Sequence, residues 1–417
     1  MNAPPCRLCS QPLTRTFVDL GMSPPSNALL YPEALDRSEV FHPLHVRVCE
    51  GCLLVQLPVM EEAEDIFDSD YAYFSSYSTS WLAHCEAYAA EIAAERGLGP
   101  DSLVVEAASN DGYLLQYFKA QGIPVLGVEP SSNVAEVAEK ERGIPTVRDF
   151  FGVATAERLH AEGRRADLFV GNNVLAHVPD VLDFLGGVKR LLAPQGAATF
   201  EFPHLLRLME STQFDTIYHE HFSYFSLRTA ERAASAAGLQ VFDVRELPTH
   251  GGSLRLYLRH PSDSPVSPRV EQLAEHEREF GLYGLEGHLG FEEQVHRVKR
   301  SLLRLLIGAK ERGLRVAGYG APAKATTLFN YCGIREPLLP FTVDRSPHKQ
   351  GRFIPGVRIP IRSPDALREA APDVVLVLPW NLRDEIGAQL ADLGARLVVP
   401  IPEPELLDGG DITQLFA

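Results

Sequence analysis

Between residues 100 and 200, short apolar runs alternate with longer stretches that mix apolar and polar positions. Apolar runs bounded by turn residues read as buried strands, and the mixed stretches as helices. The predicted strands are 103–106, 125–129, 146–149, 167–171 and 197–202, with helices over 112–120 and 132–141. This alternation predicts an α/β fold with a doubly wound sheet. Ligands of such sheets sit at the carboxyl ends of the strands, near the switch point.

A second unit of the same kind follows. A helical stretch over 270–313 leads into a strand, a glycine-rich loop and a helix at 314–324. Further strands are predicted at 341–344, 373–378 and 396–400. The chain therefore divides into a small N-terminal domain (1–68), a middle domain (69–245) and a Rossmann-like C-terminal domain (246–417). A length of 417 residues suits this count, at about 150 residues per domain.

Charge narrows the partners. Lys+Arg is 39 and Asp+Glu is 55, a net charge of −16. Such an acidic chain is a poor partner for nucleic acid or an anionic membrane. The 45% hydrophobic and 23% charged content excludes global disorder. No apolar run approaches the ~18 residues of a membrane span. The N-terminus shows no basic-then-apolar secretory signal. A soluble cytoplasmic protein is expected, and its oligomeric state stays open.

Four of the six cysteines form two pairs, Cys6-x-x-Cys9 and Cys49-x-x-Cys52, with 39 residues between them. Each CxxC knuckle brings two sulfurs to one side of a tight turn, and four thiolates complete tetrahedral zinc. Such a site has no open position, so the zinc is structural. Disulfides are disfavoured in the cytoplasm. A redox CxxC opens a helix after a strand, a context that neither pair shows. Arg7, Arg15, Arg37 and Arg47 are scattered and form no stripe for nucleic acid.

The first turn of the middle domain, Glu106-Ala-Ala-Ser-Asn-Asp-Gly112, lacks the GxGxxG that seats a pyrophosphate. A ligand without phosphates needs only small residues there, and Ala107, Ala108 and Ser109 supply them. Glu129, 23 residues after Glu106, stands where an acid grips a ribose diol; the alternative is a helix cap. Asp149 is placed to meet an adenine amino group. A ribose, an adenine and no phosphate describe S-adenosylmethionine, and a class I methyltransferase. The expected cofactor-binding residues are Glu106, Ala108, Asn110, Gly112, Glu129, Asp149 and Asn172.

Chemistry concentrates in Tyr218-His-Glu-His-Phe-Ser-Tyr224. This is not HExxH, because its histidines stand at i and i+2. In extended chain Tyr218, Glu220 and Phe222 share one face, and His219 and His221 the other; a turn changes that grouping. His177 follows the fourth predicted strand, in a loop that faces the methyl donor in this architecture. The turn Thr249-His-Gly-Gly-Ser-Leu-Arg255 suits close backbone approach, or only a hairpin. At least one of these histidines is expected to be a general base, since imidazole titrates near working pH. The aromatic stretch 71–78 reads as a packed linker or as a tyrosine-lined lid. In the last domain, Gly318-Tyr-Gly-Ala-Pro-Ala-Lys324 offers a helix N-terminus and a cation to an anionic group such as a diphosphate. Its rivals are an NAD site with Asp344 on the ribose, and a turn that only packs.

Taken in order, the two CxxC pairs and the motifs at 106–112, 218–224, 250–255 and 318–324 resemble the nucleotide-sugar C-methyltransferases of antibiotic and glycan deoxysugar pathways. The resemblance covers essentially the whole chain. It implies a zinc-binding N-terminal domain, a methyltransferase middle domain and a nucleotide-sugar-binding C-terminal domain. It further implies an NDP-4-keto-deoxysugar substrate, dTDP-linked, between the last two domains, with methylation at C3 favoured over C5. By position, His221 looks like the family's general base, with Tyr218, Glu220 and His177 as neighbours. The family's N-terminal active-site tyrosine falls on Tyr71 or Tyr73, and Tyr73 is taken. Ser253, Arg255, Gly320, Lys324 and Arg352 are the expected substrate-binding residues. One departure is Ala107 and Ala108, where typical methyltransferases carry glycine. The rival activities are O- or N-methyl transfer, nucleotide-dependent oxidoreduction, and zinc-ribbon binding without catalysis.

Overall fold

A computed structural model of the chain describes residues 3–60 and 74–416, so the expectations for Tyr71 and Tyr73 lie outside the described residues. Three sheets organise the described chain. The first begins with β1 (Arg15–Ser23), β2 (His42–Val48) and β3 (Val55–Gln56), paired antiparallel. Along β2, Leu44, Val46 and Val48 are buried and alternate with more exposed positions. That is the period-2 pattern of a sheet with one covered face. Phe17 of β1 stacks on Phe291, with ring centroids 4.6 Å apart, and ties this sheet to the C-terminal domain.

The middle domain contributes β4 (Val104–Ala107), β5 (Val125–Val128), β6 (Thr146–Val147), β7 (Ala166–Asn172) and β8 (Leu192–Pro203), all parallel. β4 and β5 are buried at every residue, because helices cover both faces. The next strand, β9 (Ser223–Tyr224), leaves this sheet and pairs with β3 as the fourth strand of the N-terminal sheet. β10 (Gln240–Leu247) and β11 (Ser253–Arg259) then complete a seven-stranded central sheet of order β10-β11-β8-β7-β4-β5-β6. β11 is antiparallel to both neighbours. The 245/246 division expected from the sequence therefore runs through a strand, and the central sheet continues to Arg259.

The helix expected from residue 112 begins at Leu115. Ala108, Asn110 and Gly112 all have positive φ (53°, 49° and 77°), so the chain turns left-handed before it can wind into a helix. Later helices start on side-chain caps. Asp180 accepts from the amides of Leu182 and Asp183, and Ser226 and Thr229 form a reciprocal capping box.

The third sheet has β12 (Val316–Tyr319), β13 (Thr342–Val343), β14 (Ile361–Arg362), β15 (Val374–Val377) and β16 (Arg396–Val399) parallel, with β17 (Glu405–Leu406) antiparallel at one edge. Its order is β14-β13-β12-β15-β16-β17. The helical stretch expected over 270–313 is two helices, Pro268–Phe280 and Phe291–Glu311. Gly281 and Gly290, both with positive φ, interrupt it. No described helix is long and apolar enough to cross a membrane.

Candidate active site

A cavity of about 640 Å³ opens at the carboxyl ends of β4, β5 and β7. One wall is Ala107, Ala108, Asn110, Glu129 and Asn172; the loops add His177, Tyr218, Glu220, His221 and His250; Lys324, Lys349 and Asn381 close it from the C-terminal domain.

The left-handed turn after β4 presents two small side chains, Ala107 and Ala108, and the polar Asn110 to this space. Glu129 braces that turn, accepting from the Asn110 and Ser131 amides at 2.9 Å each. Each of its oxygens keeps a second lone pair for a ligand hydroxyl. Asn172 ends β7 with its side-chain nitrogen and oxygen both buried and without a hydrogen-bond partner among the described residues. A buried amide in that state costs about 1–3 kcal/mol unless a ligand satisfies it. These donors and acceptors fit S-adenosylmethionine, and the small residues leave it room.

The motif at 218–224 is not extended. The His221 amide donates to the Tyr218 carbonyl at 2.9 Å, closing a turn. Tyr218, Glu220 and His221 all face the cavity as a result, and His219 turns away to meet His42. His221 Nδ1 donates to the Thr216 carbonyl at 2.8 Å, which leaves the lone pair on Nε2. Its ring centroid lies 4.0 Å from that of Tyr218 and 4.7 Å from that of His177. Burial, helped by the neighbouring His177, holds His221 well below the usual imidazole range. Burial also lowers His177 and His250 to about 4 each. Glu220 accepts from Asn27 Nδ2 at 2.6 Å, a contact from the N-terminal module.

Beneath His250 lies a buried cluster. Glu201 Oε2 accepts from Arg255 at 2.6 Å and lies 2.9 Å from His84 Nε2, while its Oε1 accepts from Thr249 at 2.8 Å. Burial alone would raise Glu201, but the bond to His84 and the charge of Arg255 outweigh it and pull the carboxyl to about 2.

On the opposite wall Lys324 donates to Asn381 and lies 4.3 Å above the Trp380 ring. Trp380 Nε1 donates to Asp215 at 2.7 Å. Burial lowers Lys324 to about 8 and raises Asp215 to about 6, each opposed by the other's charge. Asp344 accepts from the Ala321 amide at 2.8 Å and the Ser346 amide at 2.9 Å. One oxygen thus braces the glycine-rich loop and the other its own turn, and Asp344 does not line the cavity.

Away from the cavity, the four cysteine sulfurs lie within 4.8 Å of one another, with Cys6 to Cys52 and Cys9 to Cys49 at 3.4 Å. Zn–S bonds of about 2.3 Å in a tetrahedron place sulfurs about 3.8 Å apart, so the set fits zinc and is too open for disulfides. The two knuckles repeat one geometry. The Ser10 and Leu53 amides donate back to the Cys6 and Cys49 carbonyls, and both residues are left-handed.

Comparison with known proteins agrees with this geometry. A zinc binding domain family model matches residues 6–67, a methyltransferase domain model 82–244, and a C-methyltransferase C-terminal domain model 248–402. C-methyltransferase NovU of Streptomyces niveus is 36% identical over 407 residues, covering 96% of each chain. The chain belongs to the zinc-binding, S-adenosylmethionine-dependent C-methyltransferases. Among solved structures, an S-adenosylmethionine-dependent methyltransferase of Clostridium acetobutylicum aligns with 43% of this chain and 92% of its own, at 11% identity and a TM-score of 0.36. Magnesium protoporphyrin IX methyltransferase of Synechocystis, with bound S-adenosylmethionine, aligns over 43% and 79%, at 14% identity and a TM-score of 0.33.

In this C-methyltransferase several expected site residues lie behind the cavity wall. Glu106 is fully buried and pushed well up by that burial, with the Tyr113 hydroxyl opposing. Gly112 is a turn glycine, where a Cβ would meet Ile144 at 3.0 Å. Asp149 accepts from Thr155 and Arg158 and so holds a helix, while Phe150 and Phe151 face the cavity in its place. β6 ends at Val147, two residues early, which redirects the side chain at 149. Ser253 donates to the Thr249 carbonyl, and the Arg255 side chain, 3% exposed, pairs with Glu201; neither lines the cavity. Gly320 packs against Pro379, where a Cβ would come within 2.5 Å. Arg352 stacks on Tyr31, outside the cavity wall. His84, Glu201, Asn381 and Asn27 were not anticipated, and no local motif marks them; Thr249 opens the turn singled out at 249–255 but was given no role there.

Proposed function

We propose that this C-methyltransferase acts on an NDP-4-keto-deoxysugar, dTDP-linked, and methylates a carbon next to the C4 ketone. The observation that carries the reading is the state of His221, a neutral imidazole whose Nδ1 proton is held by a carbonyl and whose Nε2 is left as a base in the cavity. A carbon nucleophile must be made before it can be methylated, and an sp³ C–H is acidic enough only beside a carbonyl. His221 Nε2 takes the α-proton, and the electron pair of that C–H bond becomes an enolate. The Tyr218 hydroxyl, with Tyr73 as its expected partner, stabilises the charge that develops on the C4 oxygen. Bound S-adenosylmethionine supplies the electrophilic methyl group. Asn110, Glu129 and Asn172 hold the donor on one side of the cavity. Lys324 and Asn381 would hold the diphosphate on the other, so that both reactants would share one cavity.

The ketone acidifies C3 and C5 alike; C3 is the expected position. The expected setting is deoxysugar biosynthesis in the cytoplasm. Incubation with S-adenosylmethionine and a panel of dTDP-4-keto-deoxysugars tests the reading. A sugar-dependent gain of one methylene, matched by S-adenosylhomocysteine, is expected, and NMR of the product then reads C3 or C5. Turnover that persists after the ketone is reduced would move the reaction to oxygen or nitrogen.

A further inference from the structure

Arg7 stands between the zinc-binding cysteines Cys6 and Cys9, yet its guanidinium reaches the segment that carries His221. Its Nη1 donates to the Phe222 carbonyl and, at 2.9 Å, to Ser223 Oγ; its Nη2 donates to the Leu57 carbonyl at 2.7 Å. The guanidinium also lies 5.6 Å from the Phe222 ring centroid. At its other end the chain is tied to the thiolates. The Arg7 amide donates to Gln56 Oε1 at 3.0 Å, and Gln56 Nε2 donates to Cys6 Sγ at 3.1 Å. Phe222 is held again from the methyltransferase side, where its amide donates to the Ala176 carbonyl at 2.7 Å. Ala176 and Phe222 precede and follow His177 and His221 respectively, the two imidazoles in edge contact.

We propose that Arg7 is a positioning residue that couples the zinc knuckle to Phe222 and thereby holds the His221 ring in register with Tyr218 and His177. A planar fork bonded to three acceptors fixes a backbone more tightly than a single flexible ammonium. Four thiolates on one metal keep the base of that fork still. The catalytic consequence rests on His221 being the base; the mechanical coupling does not.

Hydrogen-exchange mass spectrometry on the full-length, zinc-loaded protein and its Arg7→Lys variant tests the coupling. Amides of 218–225 are expected to exchange about tenfold faster in the variant, with 104–107 unchanged. S-adenosylmethionine affinity should stay within about twofold, while kcat falls about tenfold or more at similar KM, since small misplacements of reacting groups are costly. Zinc removal from the wild-type protein by a chelator should reproduce the local exchange, and it serves as the comparison should Arg7→Lys not fold. Unchanged protection of 218–225 overturns the proposal. So does loss of protection throughout the central sheet, which would make Arg7 a general stability residue. Wild-type protein that turns over no keto sugar would count against the substrate reading and leave the exchange result standing.

Discussion

The ring of His177 meets the ring of His221 edge-on, with centroids 4.7 Å apart, and burial keeps both neutral near physiological pH. A general base must be unprotonated, and free histidine loses that state below about 6.5. Because His221 lies well below that value, kcat/KM should show no loss between pH 7 and 6.5 and should fall on the acid side only at lower pH. His177 contributes to the depression, so His177→Asn should move the acid limb up toward 6.5. An acid limb at 6.5 in the wild type would contradict the burial argument.

Replacing His221 by Asn removes the proposed base. Deuterium exchange at the substrate's α-carbon and methyl transfer should both fall by about 10²–10⁴-fold, the usual scale for a general base. Donor affinity should hold, because the residues proposed to hold the donor, Asn110, Glu129 and Asn172, lie at or just after the ends of β4, β5 and β7 and not in the 218–224 segment. Retained exchange would take His221 out of this role.

Asn172 makes an opposite pair of predictions. Its amide has no partner among the described residues. Asn172→Ala should weaken S-adenosylmethionine binding about tenfold, the value of one good hydrogen bond. The donor-free protein should unfold at the same temperature or higher, since an unsatisfied polar group is gone. Calorimetry reads both.

Glu201→Gln leaves the Arg255 charge buried without its carboxylate. Urea unfolding should show a loss of about 3–5 kcal/mol. The folded carboxyl is pulled down to about 2, so its contribution is complete above the ordinary carboxylate range and fades only as pH falls toward 2. Near-wild-type stability would mean that Arg255 is not held by this pair.

Lys324 loses its proton near pH 8. The KM for the proposed nucleotide-sugar substrate should therefore rise above that pH, with kcat less affected. Lys324→Met should show the same elevated KM, about tenfold, at all pH values, as expected for loss of a charge-assisted contact. A KM that is flat across pH 7–9 would place the diphosphate elsewhere.

How much of this was legible in the chain depended on the distance over which a signal acts. The cysteine knuckles are local, and their spacing alone predicts four sulfurs around one ion. The apolar runs of β4, β5 and β7 likewise predict a parallel sheet, and Glu129 follows from its place at the end of β5. The failures share one cause. Glu201, His84 and Arg255 are far apart in sequence and meet only when β8, β11 and the helix Thr79–Arg96 are assembled. Arg255 was expected to be a substrate ligand from the resemblance, but its place within β11 turns it inward to Glu201. Asp149 and Glu129 are both acids expected at strand ends, yet only Glu129 reaches the cavity, because β6 stops short. The motif at 218–224 changed meaning through a single hydrogen bond from His221 to Tyr218, which put Tyr218, Glu220 and His221 on one side.

β9 belongs to the methyltransferase domain by chain order and to the zinc module by hydrogen bonding. Hybrid enzymes assembled from relatives would have to respect that double membership. A graft of the N-terminal module cut before residue 74 would set a foreign edge against Ser223 and Tyr224, two residues beyond His221. The exchangeable unit is therefore discontinuous, the first module together with the short stretch around β9, and recombination at the apparent linker would separate parts that fold as one.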